Sequence, residues 1–230
     1  MNIAKYIFIL LFFSLSIFSE SLDDFQLSKN DEAILLNKEF ILKKRDVKKS
    51  PWPEVYVLTL IKATPKQSIA VFFAYHEHKN FIPKLLISKP VKYISPTDIH
   101  IYFEMNIPWP LSNSHFITGN RLKKLKKSGY RVEWYFVKSD SAKHSYGGVY
   151  FLAYKNKTLL VYQNFTHPKS VLAGLFKGKM LKSVKRTVRA IVSRIEDVTE
   201  NKKDLLKKYI LNLEKALNGE YVYEDLIRRQ

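Results

Sequence analysis

Between residues 84 and 165 six strand-like runs follow one another with no helical period between them: 84–95, 98–107, 115–125, 130–138, 146–154 and 158–165. Ser128-Gly129, Ser139-Asp140 and Asn156-Lys157 read as hairpin connections. Links this short leave no room for the crossover helices that a parallel sheet requires, so the runs predict an antiparallel meander. The alternation is clearest in 98–107, where Ile99, Ile101, Phe103, Met105 and Ile107 fall on one face and His100, Tyr102, Glu104 and Asn106 on the other. Val132, Trp134 and Phe136 repeat the pattern opposite Arg131, Glu133 and Tyr135. One side of the sheet is therefore expected to be an apolar wall.

That wall needs a cover, and the sequence supplies one. After His167-Pro168 the period changes, and Leu172, Leu175, Phe176, Met180, Val184, Val188, Ile191, Ile195 and Val198 make one stripe on a helix expected over 169–199. Upstream, 39–44 and 54–63 read as strands, the Lys48 to Pro53 stretch as a turn, and 67–78 as a helix. The fold class expected is α+β, a curved antiparallel sheet of six to eight strands wrapped around a long C-terminal helix. Residues 200–230 read as an amphipathic tail carrying Leu205, Leu206, Tyr209, Ile210 and Leu213 on one face.

The order of elements and one local motif resemble the START-like lipid-binding family of the helix-grip superfamily. The run from Ile107 to Ile117, with Pro108, Trp109 and Pro110 at its centre, is similar to that family's proline, tryptophan, proline, leucine, serine segment between two central strands. Gly147-Gly148-Val149-Tyr150-Phe151 resembles the start of a later strand, and the helix after Pro168 the closing helix. Two departures stand out: Ser114 and His115 occupy the place of the usual arginine and aspartate, and the usual glycine before the helix is replaced by Pro168 and Lys169. The resemblance implies a domain over 22–199 with a ligand cavity between sheet and helix. Its expected walls are Ile101, Phe103, Met105, Val132, Trp134, Phe136, Tyr150 and Leu152 on the strands and Leu172, Phe176 and Met180 on the helix. The plainer alternative for each is core packing, and for the two prolines it is holding the backbone while Trp109 packs beneath the turn.

Composition decides which partners fit. The chain has 39 Lys and Arg against 21 Asp and Glu, a formal charge of +18. A surplus of that size favours anionic partners. Lys177, Lys179, Lys182, Lys185, Arg186 and Arg189 lie on the helix face opposite the stripe, and no acidic residue interleaves between Lys169 and Ile195. A solvated face is the bland reading; an anionic membrane surface is the functional one. A second cluster, Lys123, Lys124, Lys126, Lys127 and Arg131, lies on one hairpin.

Residues 1–21 read as a cleaved secretory signal, with Lys5 before an apolar run from Tyr6 and small residues Ser19 and Ser21 before the cut; an uncleaved anchor is the alternative. An exported, periplasmic or secreted protein is thus expected, which counts against nucleic acid as partner. There is no cysteine, so disulfides and thiolate chemistry are excluded. The expected partner is a hydrophobic small molecule or lipid, without cofactor or metal. Two other readings stay open: a cationic polyanion- or partner-binding protein without ligand, and a cyclase-type enzyme using His115 and Glu104 as an acid-base pair.

Overall fold

A computed structural model describes residues 27–37, 39–107, 112–126 and 129–223. The first 21 residues and the motif Pro108, Trp109 and Pro110 lie outside the described residues. The chain runs α1 (Lys29–Leu36), β1 (Ile41–Arg45), β2 (Glu54–Ile61), α2 (Pro65–Phe73), a 3-10 turn (Tyr75–Asn80), β3 (Leu85–Ser95), β4 (Asp98–Met105), β5 (Ser114–Leu125), β6 (Gly129–Ser139), β7 (Ala142–Tyr154), β8 (Lys157–Pro168), a second 3-10 turn (Val171–Phe176), α3 (Lys177–Asn201) and α4 (Lys203–Leu217). The eight strands form one sheet in the order β1-β2-β8-β7-β6-β5-β4-β3, every described pairing antiparallel. This is the helix-grip α+β architecture.

The alternation fixes which face each strand buries. Val55, Val57 and Ile61 of β2, Ile99, Ile101 and Phe103 of β4, Val132 of β6, Val149 and Phe151 of β7, and Leu160 of β8 share one core with α2 and α3. Thr64 caps α2 in a reciprocal box with Gln67, and Pro65 supplies a pre-set φ at the first turn. All of Ser68 to Phe73 is buried, so α2 is enclosed on every side. It covers β6 and β7, whereas α3 runs alongside α2 and β2. The sheet therefore grips two helices, where the sequence stripe suggested one.

The long helix begins later than expected. Lys157–Pro168 stays in β8, Ser170 then caps a 3-10 turn by accepting from Leu172 N–H at 3.2 Å, and α3 starts at Lys177. Residues 174 and 178 are both glycine, a poor start for an α-helix at 169. Trp52 holds the turn from outside, its indole N–H donating to the Ala173 carbonyl at 2.7 Å. After α3, Leu206, Tyr209, Leu213 and Ala216 of α4 join the main core. The Tyr93 hydroxyl accepts from the backbone N–H groups of Val222 and Tyr223, and the Tyr223 hydroxyl donates to the Phe73 carbonyl.

The convex face carries a second, smaller core that the sequence did not announce. Ile41, Leu58, Leu60, Leu152, Leu159 and Val161 pack beneath Leu35 of α1. That helix is capped by Ser28 and Asp31 in a reciprocal box.

Candidate functional site

The concave face divides into two halves of different packing. Near the lower end, α2 and the C-terminal half of α3 fill the space: Ile69, Phe73, Phe151, Leu160, Val188, Ile191, Ile195 and Val198 are each at most 2% exposed. Near the upper end, where β4, β6 and β8 finish and α3 begins, apolar side chains face the same space but keep accessible surface. Met105, Phe116, Trp134, Tyr162, Met180, Leu181 and Val184 pack against the core while only half-buried. The result is an apolar trough between the first turns of α3 and the central strands.

Trp134 forms its floor. Its indole lies over Gly147, where any Cβ would collide with the ring and with the Gln163 carbonyl. Gly147 thus lets a large aromatic lie flat on the strand. The Trp134 and Tyr162 rings meet with centroids 5.3 Å apart. Burial pushes the Tyr162 hydroxyl well above the usual tyrosine range, yet the side chain retains accessible surface. No described residue hydrogen-bonds its hydroxyl.

The upper rim carries the contrast between apolar and cationic chemistry. Leu172 is 57% and Leu175 80% exposed on the pinned 3-10 turn, while Lys177 and Lys179 are exposed just beyond it. Lys182, Arg186 and Arg189 are exposed along α3 and Lys185 is half-buried. Lys185 and Arg189 lie over the Phe40 ring at 5.9 and 5.2 Å, and Lys177 stands 3.7 Å from the exposed carboxylate of Asp46. Of the hairpin cations, Lys123, Lys124, Lys126 and Arg131 lie at the far end of the sheet, where Glu133 pairs with Lys123 and Arg131, and Lys127 lies outside the described residues.

The expected wall residues separate into three groups. Ile101, Phe103 and Val132 are buried on the concave face, and Met105, Trp134 and Met180 border the trough. Phe136 is half-buried against His144, ring centroids 6.0 Å apart, and Phe176 is half-buried under Lys179. Tyr150 and Leu152 correct the expectation: both pack into the convex core, because β7 is apolar on both faces and its alternation does not choose between them. Leu172 is a second correction, since the 3-10 turn directs it to solvent. Phe116, Asn120 and Tyr162 are trough residues that the sequence reading passed over. Their signal was the concave register of Phe116 with Phe103 and of Asn120 with Trp134.

The His115 and Glu104 pair lies on the convex face. Glu104 accepts from Asn113 at 2.8 Å, His115 Nδ1 is 2.8 Å from the Tyr102 hydroxyl, and the same nitrogen is 4.0 Å from the Glu104 carboxylate. This pair does not reach the trough. A hollow of about 550 Å³ also opens on the outer rim between Tyr75–Asn80 and β3; Glu77, Lys79 and Lys89 are among its lining residues, which suits an apolar ligand less well. Among the described residues no cluster of metal ligands occurs and no helix is long and apolar enough to cross a membrane.

Comparison with solved structures defines the class: the chain has a START-like helix-grip fold. A STAR-related lipid transfer protein from Xanthomonas axonopodis matches with a TM-score of 0.62 at 18% identity, covering 68% of this chain and 93% of that one. Human STARD10 matches with 0.65 at 13% identity, covering 81% and 87%. The Zhui aromatase/cyclase from Streptomyces sp. R1128 matches with 0.56 at 7% identity, covering 65% and 97%. No family model and no curated protein matches the sequence. Identities this low establish the shared fold alone, and the matched proteins include lipid transfer proteins and an aromatase/cyclase.

Proposed function

We propose that this is an exported, non-enzymatic carrier that holds a lipid or other apolar molecule in the trough and exchanges it at an anionic membrane. The observation that carries the reading is the half-filled concave face. Apolar side chains from four strands and a helix converge on one space without closing it, although protein interiors ordinarily pack tightly. Concave apolar sites with a few polar groups are the usual form of small-molecule pockets. The rim supports the docking half. Leu172 and Leu175 offer an apolar tip to a bilayer interface, and the lysines of the same turns lie level with lipid phosphates, each contributing about 1 kcal/mol near an anionic surface.

The test uses two readouts on the purified protein. Uptake of a fluorescent lipid, read by the rise in the lipid's own emission on leaving water, should occur in the native protein and fall several-fold in Trp134→Phe. Flotation with phosphatidylserine vesicles should show binding that phosphatidylcholine vesicles do not support. Absence of uptake contradicts the carrier, and equal binding to both vesicle types contradicts the docking.

A further inference from the structure

The polar groups inside the trough say what kind of molecule it holds. On β5 to β8 the concave positions level with Trp134 are Phe116, Thr118, Asn120, Gly147, Tyr162 and Asn164, and none is charged. Among the described residues, cations begin at the rim, with the exposed Lys44 and Lys177. Asn120 is 5% exposed on the concave side of β5, directly opposite Trp134 in register. Its Nδ2 donates to the Thr118 hydroxyl and carbonyl at 2.9 and 3.0 Å, which directs Oδ1 away from them. No described residue donates to that oxygen, and none bonds the Tyr162 hydroxyl on the other flank of Trp134. The two are polar points on one apolar face, placed to hydrogen-bond a molecule lying between them.

We infer that the trough takes an uncharged amphiphile: an apolar body under Met180 and Val184, and one hydroxyl, ester or amide group hydrogen-bonded to Tyr162, with Asn120 Oδ1 as a second acceptor. A carboxylate or phosphate at the same depth would meet no counter-charge among the described concave positions of β5 to β8, and a buried charge without a partner is strongly disfavoured. Neutral hydrogen-bonding groups meet no such penalty, and a Tyr hydroxyl can donate to a carbonyl or accept from an alcohol. The inference rests on the carrier reading above and narrows its ligand class.

The experiment delivers radiolabelled 1-hexadecanol, hexadecane and palmitate to the full chain from phosphatidylcholine vesicles at pH 7.5 and measures the protein-bound share of each. The native protein should retain the alcohol about tenfold over the hydrocarbon, the scale of one neutral hydrogen bond, and palmitate less than the alcohol. Tyr162→Phe removes one oxygen and should lower the ratio of bound alcohol to bound hydrocarbon several-fold. An alcohol preference undiminished in Tyr162→Phe, or palmitate binding above the alcohol in the native protein, overturns the inference and leaves the carrier reading standing. Failure of all three probes to bind overturns both.

Discussion

Helix α3 is one continuous element with two characters. Its C-terminal half buries Val188, Ile191, Ile195 and Val198 almost completely, while its N-terminal half leaves Met180, Leu181 and Val184 half-covered along the same stripe. Hydrophobic spacing is the same in both halves, so periodicity does not separate them. What separates them is the opposing surface. The enclosed α2 fills the space below, and only the flat Trp134 over Gly147 occupies the floor above. One half of the concave face supplies stability, and the other is the half that the proposed carrier function assigns to a ligand.

That contrast is broken most directly by truncating each half. Phe151→Ala, at 0% exposure in the filled half, should lower unfolding free energy by about 4 kcal/mol in urea titrations. A loss below about 1 kcal/mol would mean that the lower half is not the tighter one. Next in size, Lys182→Glu, Lys185→Glu and Arg186→Glu together should weaken binding to phosphatidylserine vesicles at least a hundredfold, from about 1 kcal/mol per cation near the surface, with little change in urea midpoint.

The filled half also carries a pH response. His78, 3% exposed, has its pKa pushed down to about 4, mainly by burial, while its hydrogen bond to the Phe72 carbonyl acts the other way. The unfolded chain titrates at about 6.5, so between pH 6.5 and 4 it binds a proton that the folded protein refuses. Stability from this group is complete above pH 6.5 and is lost as pH falls through that window. The loss between pH 7 and 5 should be about 2 kcal/mol, and it should vanish in His78→Gln. The smallest effect belongs to the open half: Met180→Ala should cost about 1 kcal/mol or less, because the side chain is half-exposed and alanine favours helix, while fluorescent-lipid uptake falls several-fold. A stability loss as large as that of Phe151→Ala would place Met180 in a filled core.

Much of this fold is legible in the chain because strands with one wet face alternate cleanly. Runs such as Ile99 to Met105 and Val132 to Phe136 announce both their conformation and their inner face. The reading fails where a segment is apolar on both sides. Tyr150 and Leu152 alternate with Val149 and Phe151, and only the presence of α1 over the convex face decides which pair looks inward. Helix α1 itself was passed over because Lys29–Leu36 is short and polar; its signal is the Ser28 and Asp31 capping pair. The start of α3 was misplaced because the apolar stripe extends through Leu172 and Leu175, whereas the glycines at 174 and 178 and the capping Ser170 make a 3-10 turn instead. The trough's polar points were invisible for a different reason: Asn120 and Tyr162 lie on separate strands, brought to one face by register alone.

The central claim is that the upper half of the concave face holds an apolar molecule. Native mass spectrometry of the protein purified from cells without detergent, followed by solvent extraction and lipid analysis, tests it most directly. The account predicts one small, uncharged lipid-like molecule per chain, released on unfolding. A fully folded protein that arrives empty and takes up none of the lipids offered would contradict it.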